Sequence, residues 1–425
     1  MAYRLHTDVR AKSMCSAGSR ALSRVKYTVF HYTGNETDTA CANAKFFRDG
    51  VERKAGAHFF IDDKDAYMSI SLDLIANAVG GSRYSDCDKT GGGTLHGVVT
   101  NKNSWSIEMC SQHGSFTGQT LYNAALLHVA ICKHFGFPLD NVCRHFDVTG
   151  KLCPEYWVYG NDWDKFKGLL KSVEQSFVPN GLQNVQDYDG NWYYLDKFGS
   201  MTDYTGLAKN KNGWFYVRNG KVDFSFSGFV QNDQGWWYVD NGKVDFKHTG
   251  LFYDKTYGWW YVQKSQINKQ YTGLVENEKG WWLVEGGKVR FGYTGLYHDK
   301  TYGWWYIEKS KVNKNFTGLV QNDQGWWLVD KGTIRFNYTG LFNDKIYGWW
   351  YLEKSKVNKN FTGLYNDTKC GWWYIKDGHI KFDRTLVARN QYGAWYVKDN
   401  KVMLNYTGQA TIGGEVYSVA KGKIE

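Results

Sequence analysis

Two hydrophobic patterns divide the chain. Up to about residue 175, short apolar runs alternate with longer segments of helical character. Lys26–Tyr32 (KYTVFHY) is rich in β-branched and aromatic residues and predicts a strand. Thr39–Arg48 predicts a helix, with Thr37 or Asp38 as its N-cap. His58–Asp62 is an apolar run ended by an acidic turn, and Ser104–Cys110 (SWSIEMC) predicts another strand. Thr120–Phe135 is apolar nearly all round, which predicts a buried helix, and Asn161–Val173 predicts a last one. Strands interleaved with helices indicate an α/β domain, a mixed sheet flanked by helices, over residues 1–176.

From 177 to 425 the pattern is periodic. A glycine precedes an aromatic pair at Gly213, Gly235, Gly258, Gly280, Gly303, Gly325, Gly348 and Gly371, in steps of 22 or 23 residues. A Thr/Ser-Gly step recurs between them, and two variants of the unit alternate. Weaker copies at Trp192 and Trp395 flank the array, as capping units do. In Gly235–Phe246 (GWWYVDNGKVDF), Asp240-Asn241-Gly242 is a tight-turn signal between apolar flanks. Each unit therefore reads as a β-hairpin, and about ten such hairpins form an all-β solenoid whose core lies at their mutual interfaces.

Composition sharpens this picture. The aromatic content is 18%, with 20 Trp and 47 Gly, which suits hairpins carrying stacked rings. The net charge is +10. Residues 1–175 hold 20 Lys and Arg against 18 Asp and Glu, and the remainder holds 32 against 24. A basic, aromatic array favours an anionic polymer. Nucleic acid is disfavoured because the lysines are interleaved with acids and no nucleic-acid motif is present. No stretch approaches the ~18 consecutive apolar residues of a membrane span. The segment from Met1 to Lys26 is polar and basic, so synthesis in the cytoplasm without a signal peptide is expected. Seven of the eight cysteines lie in the first 153 residues at irregular spacing, which favours free thiols, with one or two ligating a metal.

The candidate metal ligands are His31, at the end of a predicted strand, and His145 and Cys153, eight residues apart in RHFDVTGKLCP. Zinc accepts imidazole and thiolate together, and a catalytic site keeps a fourth position open. An alternative is a nucleophilic Cys153 with His145 as its base. Gly91-Gly92-Gly93 lacks the Lys-Ser/Thr of a phosphate loop and reads instead as a flexible segment with Gly80-Gly81, near a substrate groove. Cys110, Cys132 and Cys143 read as core thiols, and His113, His128 and His134 follow no ligand spacing.

Tyr27–Asn35 (YTVFHYTGN), SWSIEMC and Arg144–Trp157 (RHFDVTGKLCPEYW) together resemble the zinc-dependent N-acetylmuramoyl-L-alanine amidase family, in order over about residues 20–160. The resemblance implies zinc held by His31, His145 and Cys153, with Glu108 as acid–base and Lys151 beside the metal. Some members carry a tyrosine before the histidine of the second strand. Here that position is Ala57, so the acid–base work falls to Glu108 and the role of His58 is open. Ile107 and Met109 are read as apolar neighbours of Glu108. A non-catalytic peptidoglycan recognition protein is the alternative.

The repeats resemble choline- and glucan-binding cell-wall repeats over about residues 186–425. That resemblance implies ligand-binding rings among six pairs: Trp236 and Trp237, Trp259 and Trp260, Trp281 and Trp282, Trp304 and Trp305, Trp326 and Trp327, Trp349 and Trp350. Within a pair, adjacent strand residues face opposite sides, so one ring can pack inward while the other lines a groove. The choline pattern usually has tryptophan after Thr-Gly. Here Leu or Phe stands there (Phe229, Leu251, Leu274, Leu296, Leu319, Leu341, Leu364), so a cell-wall glycan or teichoic-type polymer is expected as ligand. The whole reads as a peptidoglycan hydrolase of phage or prophage endolysin type, released by a holin, with a host autolysin as the alternative source.

Overall fold

The structure is a computed structural model describing residues 2–50, 52, 54–184 and 190–425. The expected start of the repeat-like region, at 186, lies outside the described residues. Two compact units divide at residues 245/246.

The first unit contains the mixed sheet that the sequence predicts. Its strands are β1 (Arg4–His6), β2 (Tyr27–Tyr32), β3 (Phe59–Ile61), β4 (Asp65–Met68), β5 (Ser104–Met109) and β6 (Val142–Arg144). Their order is β1-β4-β3-β5-β2-β6, and only the β3–β4 pair is antiparallel. The helices that bear on the sheet and the site are α1 (Ala40–Lys45), α2 (Gly118–Phe135), α3 (His145–Thr149) and α4 (Asp162–Ser176), besides a single turn at Cys87–Thr90. α2 is buried along most of its length and packs with Phe30, Phe59, Trp105, Ile107 and Met109 in one core. Its N-cap is Thr117, whose Oγ1 accepts from the Thr120 amide, and Gly136 closes it in the left-handed region.

α1 differs from its expected start. Its cap is Thr39, which accepts from the Ala42 amide at 3.2 Å. Asp38 instead accepts from the Ser111 amide and the Asn43 side chain, tying α1 to the end of β5. Thr37 accepts from the His113 amide. A long-range partner has drawn both candidates away from the cap.

Two histidines outside the metal candidates are structural. His58 is buried, with Nδ1 3.1 Å from the Ser106 amide and Nε2 3.1 Å from the Leu74 carbonyl and 2.9 Å from Arg20 Nη2. His128 lies between Thr28 Oγ1 at 3.1 Å and the Leu139 carbonyl at 3.0 Å. Burial depresses both, to about 3 for His58 and about 4 for His128.

The first unit continues past α4 into the first hairpins. Tyr193 and Leu195 enter the same core as α2, the Tyr3 hydroxyl donates to the Phe198 carbonyl, and the Met201 amide donates to the Tyr3 carbonyl at 2.8 Å. This packing explains why the compact unit extends beyond residue 176.

The second unit is made of repeats with three strands each. A five-residue strand opens at Thr-Gly, the Gly-Trp-Trp strand returns beside it, and a two-residue strand follows a tight turn. The second tryptophan is in register with the short strand of the next repeat, as in Trp260↔Lys288, Trp282↔Lys311 and Trp327↔Lys356. One aliphatic residue per repeat is fully buried: Val262, Val284, Ile307, Val329, Leu352, Ile375 and Val397.

The structure supplies the reason for the alternating period. In the shorter units, Asn277 and Asn322 accept from the indole of the second tryptophan at 3.0 and 3.1 Å. In the longer units the loop has one more residue. Asp299 and Asp344 then accept from two loop amides and, through the other oxygen, from the Leu274 and Leu319 amides of the preceding repeat at 2.8 Å.

Below pH about 6.5 the unfolded chain binds protons that buried His58 and His128 do not. Stability should therefore fall as pH drops from about 6.5 toward 4, by ~1.4 kcal/mol per pH unit for each histidine. Urea unfolding of the full chain across this range, compared with His128→Gln, checks it. The variant should show the shallower loss.

Candidate functional site

The site forms at the carboxyl ends of the parallel strands β2, β5 and β6. His31 is the penultimate residue of β2 and lies in register with Glu108 on β5. β6 pairs with β2 on its other side, and α3 begins immediately after it with His145. Cys153 follows on the next loop, which the Phe146 amide holds by donating to the Cys153 carbonyl at 2.9 Å. The backbone at Tyr32 also hydrogen-bonds the Cys153 sulfur.

One ligand atom from each of His31, His145 and Cys153 lies within 4.8 Å of the others, and all three residues are buried. Cys153 Sγ is 3.7 Å from His31 Nδ1. Two zinc ligands at ordinary bond lengths and a tetrahedral angle stand about 3.6 Å apart, so this spacing fits the ion. His31 Nε2 and His145 Nδ1 are buried with no hydrogen-bond partner among the described residues. His58 and His128, in the same domain, have both ring nitrogens engaged. The nitrogen that His31 turns to the sulfur is Nδ1, and an unfilled His145 nitrogen beside that thiol is what a metal site requires and a packed core avoids.

Burial first, then the charges of His145, Lys151 and His58, hold His31 well below its ordinary value. Burial and Lys151 bring His145 to about 4. Both rings are thus in the neutral, ligating form near pH 7. Burial and the Glu108 charge push the Cys153 thiol to about 12.

Glu108 Oε1 stands 3.9 Å from His31 Nδ1. Its neighbours differ from those expected. Ile107 and Met109 point to the opposite face and join the α2 core, because side chains alternate along a strand. The residues in register beside Glu108 are His31 and Phe60. Lys151 is exposed at the edge of the cluster, close enough to depress both imidazoles. Ala57 is buried beside the structural His58 and brings no catalytic group.

Single-residue reading missed an aromatic border. The Tyr32 hydroxyl donates to Glu155 Oε2 at 2.9 Å, and its ring meets Tyr156 edge-on at 5.4 Å. Burial and then this bond push Tyr32 up to about 12. The only sequence signal was the clustering of rings in YTVFHY and CPEYW.

The glycine run proves to be a fixed brace. The Gly93 amide donates to the Phe146 carbonyl at 2.9 Å and Leu95 to Asp147 at 2.8 Å, and a Cβ on Gly92 would come within 2.8 Å of Gly150 Cα. Close packing on α3 replaces the flexibility expected from three glycines.

In the repeats, both rings of every candidate pair are half-buried. The first rings are Trp236, Trp259, Trp281, Trp304, Trp326 and Trp349, and the second rings are Trp237, Trp260, Trp282, Trp305, Trp327 and Trp350. Trp237 is the inward-packing ring of its pair. Its ring packs against the buried Leu207, Val239 and Val244, and its indole N–H donates to Asn232 Oδ1 at 2.9 Å. The physical reason is the strand register, which sets Trp237 opposite Val230 and turns its ring toward the neighbouring hairpin. The other second rings are likewise tied by their indole N–H to their own hairpin. Trp260, Trp305 and Trp350 donate to the carbonyls of Tyr257, Tyr302 and Tyr347, and Trp282 and Trp327 donate to asparagines. The second ring of each pair is thus anchored through its indole N–H to its own hairpin.

Rings are also shared between neighbours. In the second unit, the first ring of one pair shares a cluster with the second ring of the next, as in Trp259 with Trp282 and Trp281 with Trp305. Lysines lie over several second rings: Lys288 at 5.6 Å from Trp260, Lys311 at 5.7 Å from Trp282 and Lys356 at 5.3 Å from Trp327.

Gly150 caps α3 at φ +88°, and a Cβ there would collide with Cys87 Sγ. Gly150→Ala should cost ~1 kcal/mol or more in thermal unfolding, and adding Cys87→Ala should recover only part, since the backbone strain remains.

Residues 21–156 match the family described as N-acetylmuramoyl-L-alanine amidase. Eight segments between residues 203 and 380 match the choline-binding repeat. The N-acetylmuramoyl-L-alanine amidase BlyA of Bacillus subtilis (strain 168) is 34% identical over 159 residues, covering 36% of this chain and 42% of that protein. The N-acetylmuramoyl-L-alanine amidase CwlL of Bacillus licheniformis gives the same identity and coverage. The chain thus spans less than half the length of these relatives. Among solved structures, a mutant endolysin from Bacillus subtilis aligns at 23% identity over 40% of this chain and 99% of that one, with a TM-score of 0.32. The chain joins a domain of the N-acetylmuramoyl-L-alanine amidase family, residues 21–156, to an array of choline-binding repeats, residues 203–380.

Proposed function

We propose that the chain hydrolyses the amide between N-acetylmuramic acid and L-alanine in peptidoglycan, and that its repeats hold it on the cell wall. The observation that carries this reading is the buried His31–His145–Cys153 cluster with Glu108 in register beside it. Chemistry is assigned to residues 1–176 and wall retention to 177–425.

His31, His145 and Cys153 would hold a zinc ion, which when bound supplies Lewis acidity toward a carbonyl and acidifies water. The two imidazoles offer neutral nitrogens at the ordinary working pH. Cys153 must lose its proton to ligate, and the Tyr32 backbone bond to its sulfur favours the thiolate. Glu108 takes the proton of the attacking water and passes it to the departing alanine nitrogen. Its register beside His31 keeps the carboxylate at the reacting end of the sheet. Lys151 carries a fixed positive charge at the rim and steadies the negative charge that develops on the carbonyl oxygen. Tyr32 and Tyr156 supply an apolar border that limits water beside Cys153.

The wall ligand of the repeats is proposed to be a glycan or teichoic-type polymer. The excess of Lys and Arg in the repeat half favours a polyanion. No helix among the described residues is long and apolar enough to cross a membrane. Cytoplasmic synthesis followed by holin-type release of a phage or prophage endolysin completes the proposal.

The deciding experiment digests purified walls and reads the products by mass. New free L-alanine amino termini without new reducing sugar support the amidase, and their absence sinks it. The polypeptide ending at residue 245 should keep hydrolysis and lose most wall sedimentation. Ending at 176 would strip Tyr193 and Leu195 from the core of the catalytic domain. Chelation should abolish lysis and zinc should restore it, whereas a cysteine nucleophile would survive the chelator. Cys153→Ser should lose stoichiometric zinc by elemental analysis. Glu108→Gln should retain zinc while kcat falls about 10²-fold or more.

A further inference from the structure

One break in the repeat pattern of the second unit lies beside a cavity. In every other repeat from Tyr204 to Tyr406, the residue two before the Thr/Ser-Gly glycine is an aromatic or imidazole ring. At the equivalent place stands Arg384, and Leu386 replaces the glycine. Where the hairpin carries a tyrosine after its tryptophans, that ring can stack on it, as Tyr271 does on Tyr261 at 4.0 Å and Phe316 on Tyr306 at 4.0 Å. The break also interrupts the alternation of loop lengths, because the long-loop units at Gly348 and Gly371 follow one another directly.

Arg384 lines a cavity of about 600 Å³. Four cations reach it, Lys359, Lys376, Lys381 and Arg384, against the two carboxylates Asp377 and Asp383. Trp350 supplies an apolar wall. In the register that places lysine opposite the second tryptophan of most other repeats, Trp350 faces His379, whose ring lies 4.4 Å away. His379 Nδ1 is buried without a hydrogen-bond partner among the described residues.

The arginine's loop is held from below. Asn400 is 1% exposed, and its Oδ1 accepts from the Asp383 and Arg384 amides at 3.0 and 3.1 Å. Its Nδ2 donates to the Tyr374 carbonyl at 2.9 Å. Glycine or serine occupies this position in other repeats of the unit, as in Gly287, Ser310, Gly332 and Ser355. Arg384 and Asn400 therefore depart from the pattern together, and one fixes the backbone of the other.

We propose that this cavity is a distinct binding site for an anionic saccharide unit, with the sugar ring against Trp350 and the phosphate or carboxylate among Lys359, Lys381 and Arg384. The proposal rests on the reading of the repeats as wall-binding, and it narrows the ligand to a charged sugar at one place in the array. Guanidinium and ammonium groups converging beside an indole suit that chemistry, since the ring packs on the apolar faces of a sugar while the cations take its anion.

The test uses the full chain and three probes in calorimetric titration: a hexose-phosphate oligomer, a galacturonate oligomer and an uncharged chitooligosaccharide. Binding of either anionic oligomer, weakened by salt, is expected, and which one binds identifies the anion. Arg384→Tyr restores the ring that other repeats carry, so it should preserve the fold and weaken binding at least tenfold. Lys381→Ala should weaken it in the same direction. The proposal is overturned if neither anionic probe binds, if the uncharged probe binds equally well, or if both variants bind as the parent does. Wall sedimentation separates the two readings. Parent chain that sediments with walls while the cavity tests fail leaves wall anchoring intact, and parent chain that does not sediment overturns the anchoring itself.

Discussion

The parallel pairing of Tyr27–Tyr32 with Ser104–Met109 is the constraint on which the site depends. Its register sets His31 beside Glu108 and leaves Ile107 and Met109 on the buried opposite face. A slip of one residue would exchange those faces, burying a carboxylate under α2 and exposing two core side chains. The hydrophobic core therefore enforces the position of the chemistry. The third strand, Val142–Arg144, pairs on the other edge of Tyr27–Tyr32 and delivers His145 as the chain turns into a helix.

Polar burial gives the site its character. The domain buries several histidines, and it satisfies those used for structure. His58 is bracketed by Ser106, Leu74 and Arg20, and His128 by Thr28 and Leu139. His145 keeps Nδ1 without a partner among the described residues, and His31 turns its Nδ1 toward the buried Cys153 thiol. An unsatisfied buried polar atom costs ~1–3 kcal/mol, so a fold that keeps one in this cluster is prepared for a ligand that offsets that cost.

The repeats are held together differently. Each repeat of the second unit contributes one fully buried aliphatic residue, while its tryptophans stay half-buried and are shared between neighbours. Buried aspartates join successive units through backbone amides, as Asp299 does with Leu274. Because each repeat depends chiefly on its neighbours, a local departure such as Arg384 with Asn400 can be accommodated without disturbing the array.

Much of this was legible in the chain itself. The strand KYTVFHY, the buried helix ending at Phe135, the repeat period and the candidates His31, His145 and Cys153 all rest on local pattern or on motif resemblance. Those signals are short-range, and the structure keeps them. What tertiary structure alone decided is long-range. Thr39 caps the first helix because Ser111 and His113 draw away Asp38 and Thr37. Gly91–Gly93 is rigid because the helix after His145 packs against it. Trp237 is a packing ring because Leu207 from the preceding hairpin and Val244 from its own short strand close around it. The neighbours of Glu108 are His31 and Phe60 because strand pairing, not sequence adjacency, chooses who shares a face. A sequence reports which residues can form an element, but which face meets which, and which buried atom goes unpartnered, follows only from how distant segments come together.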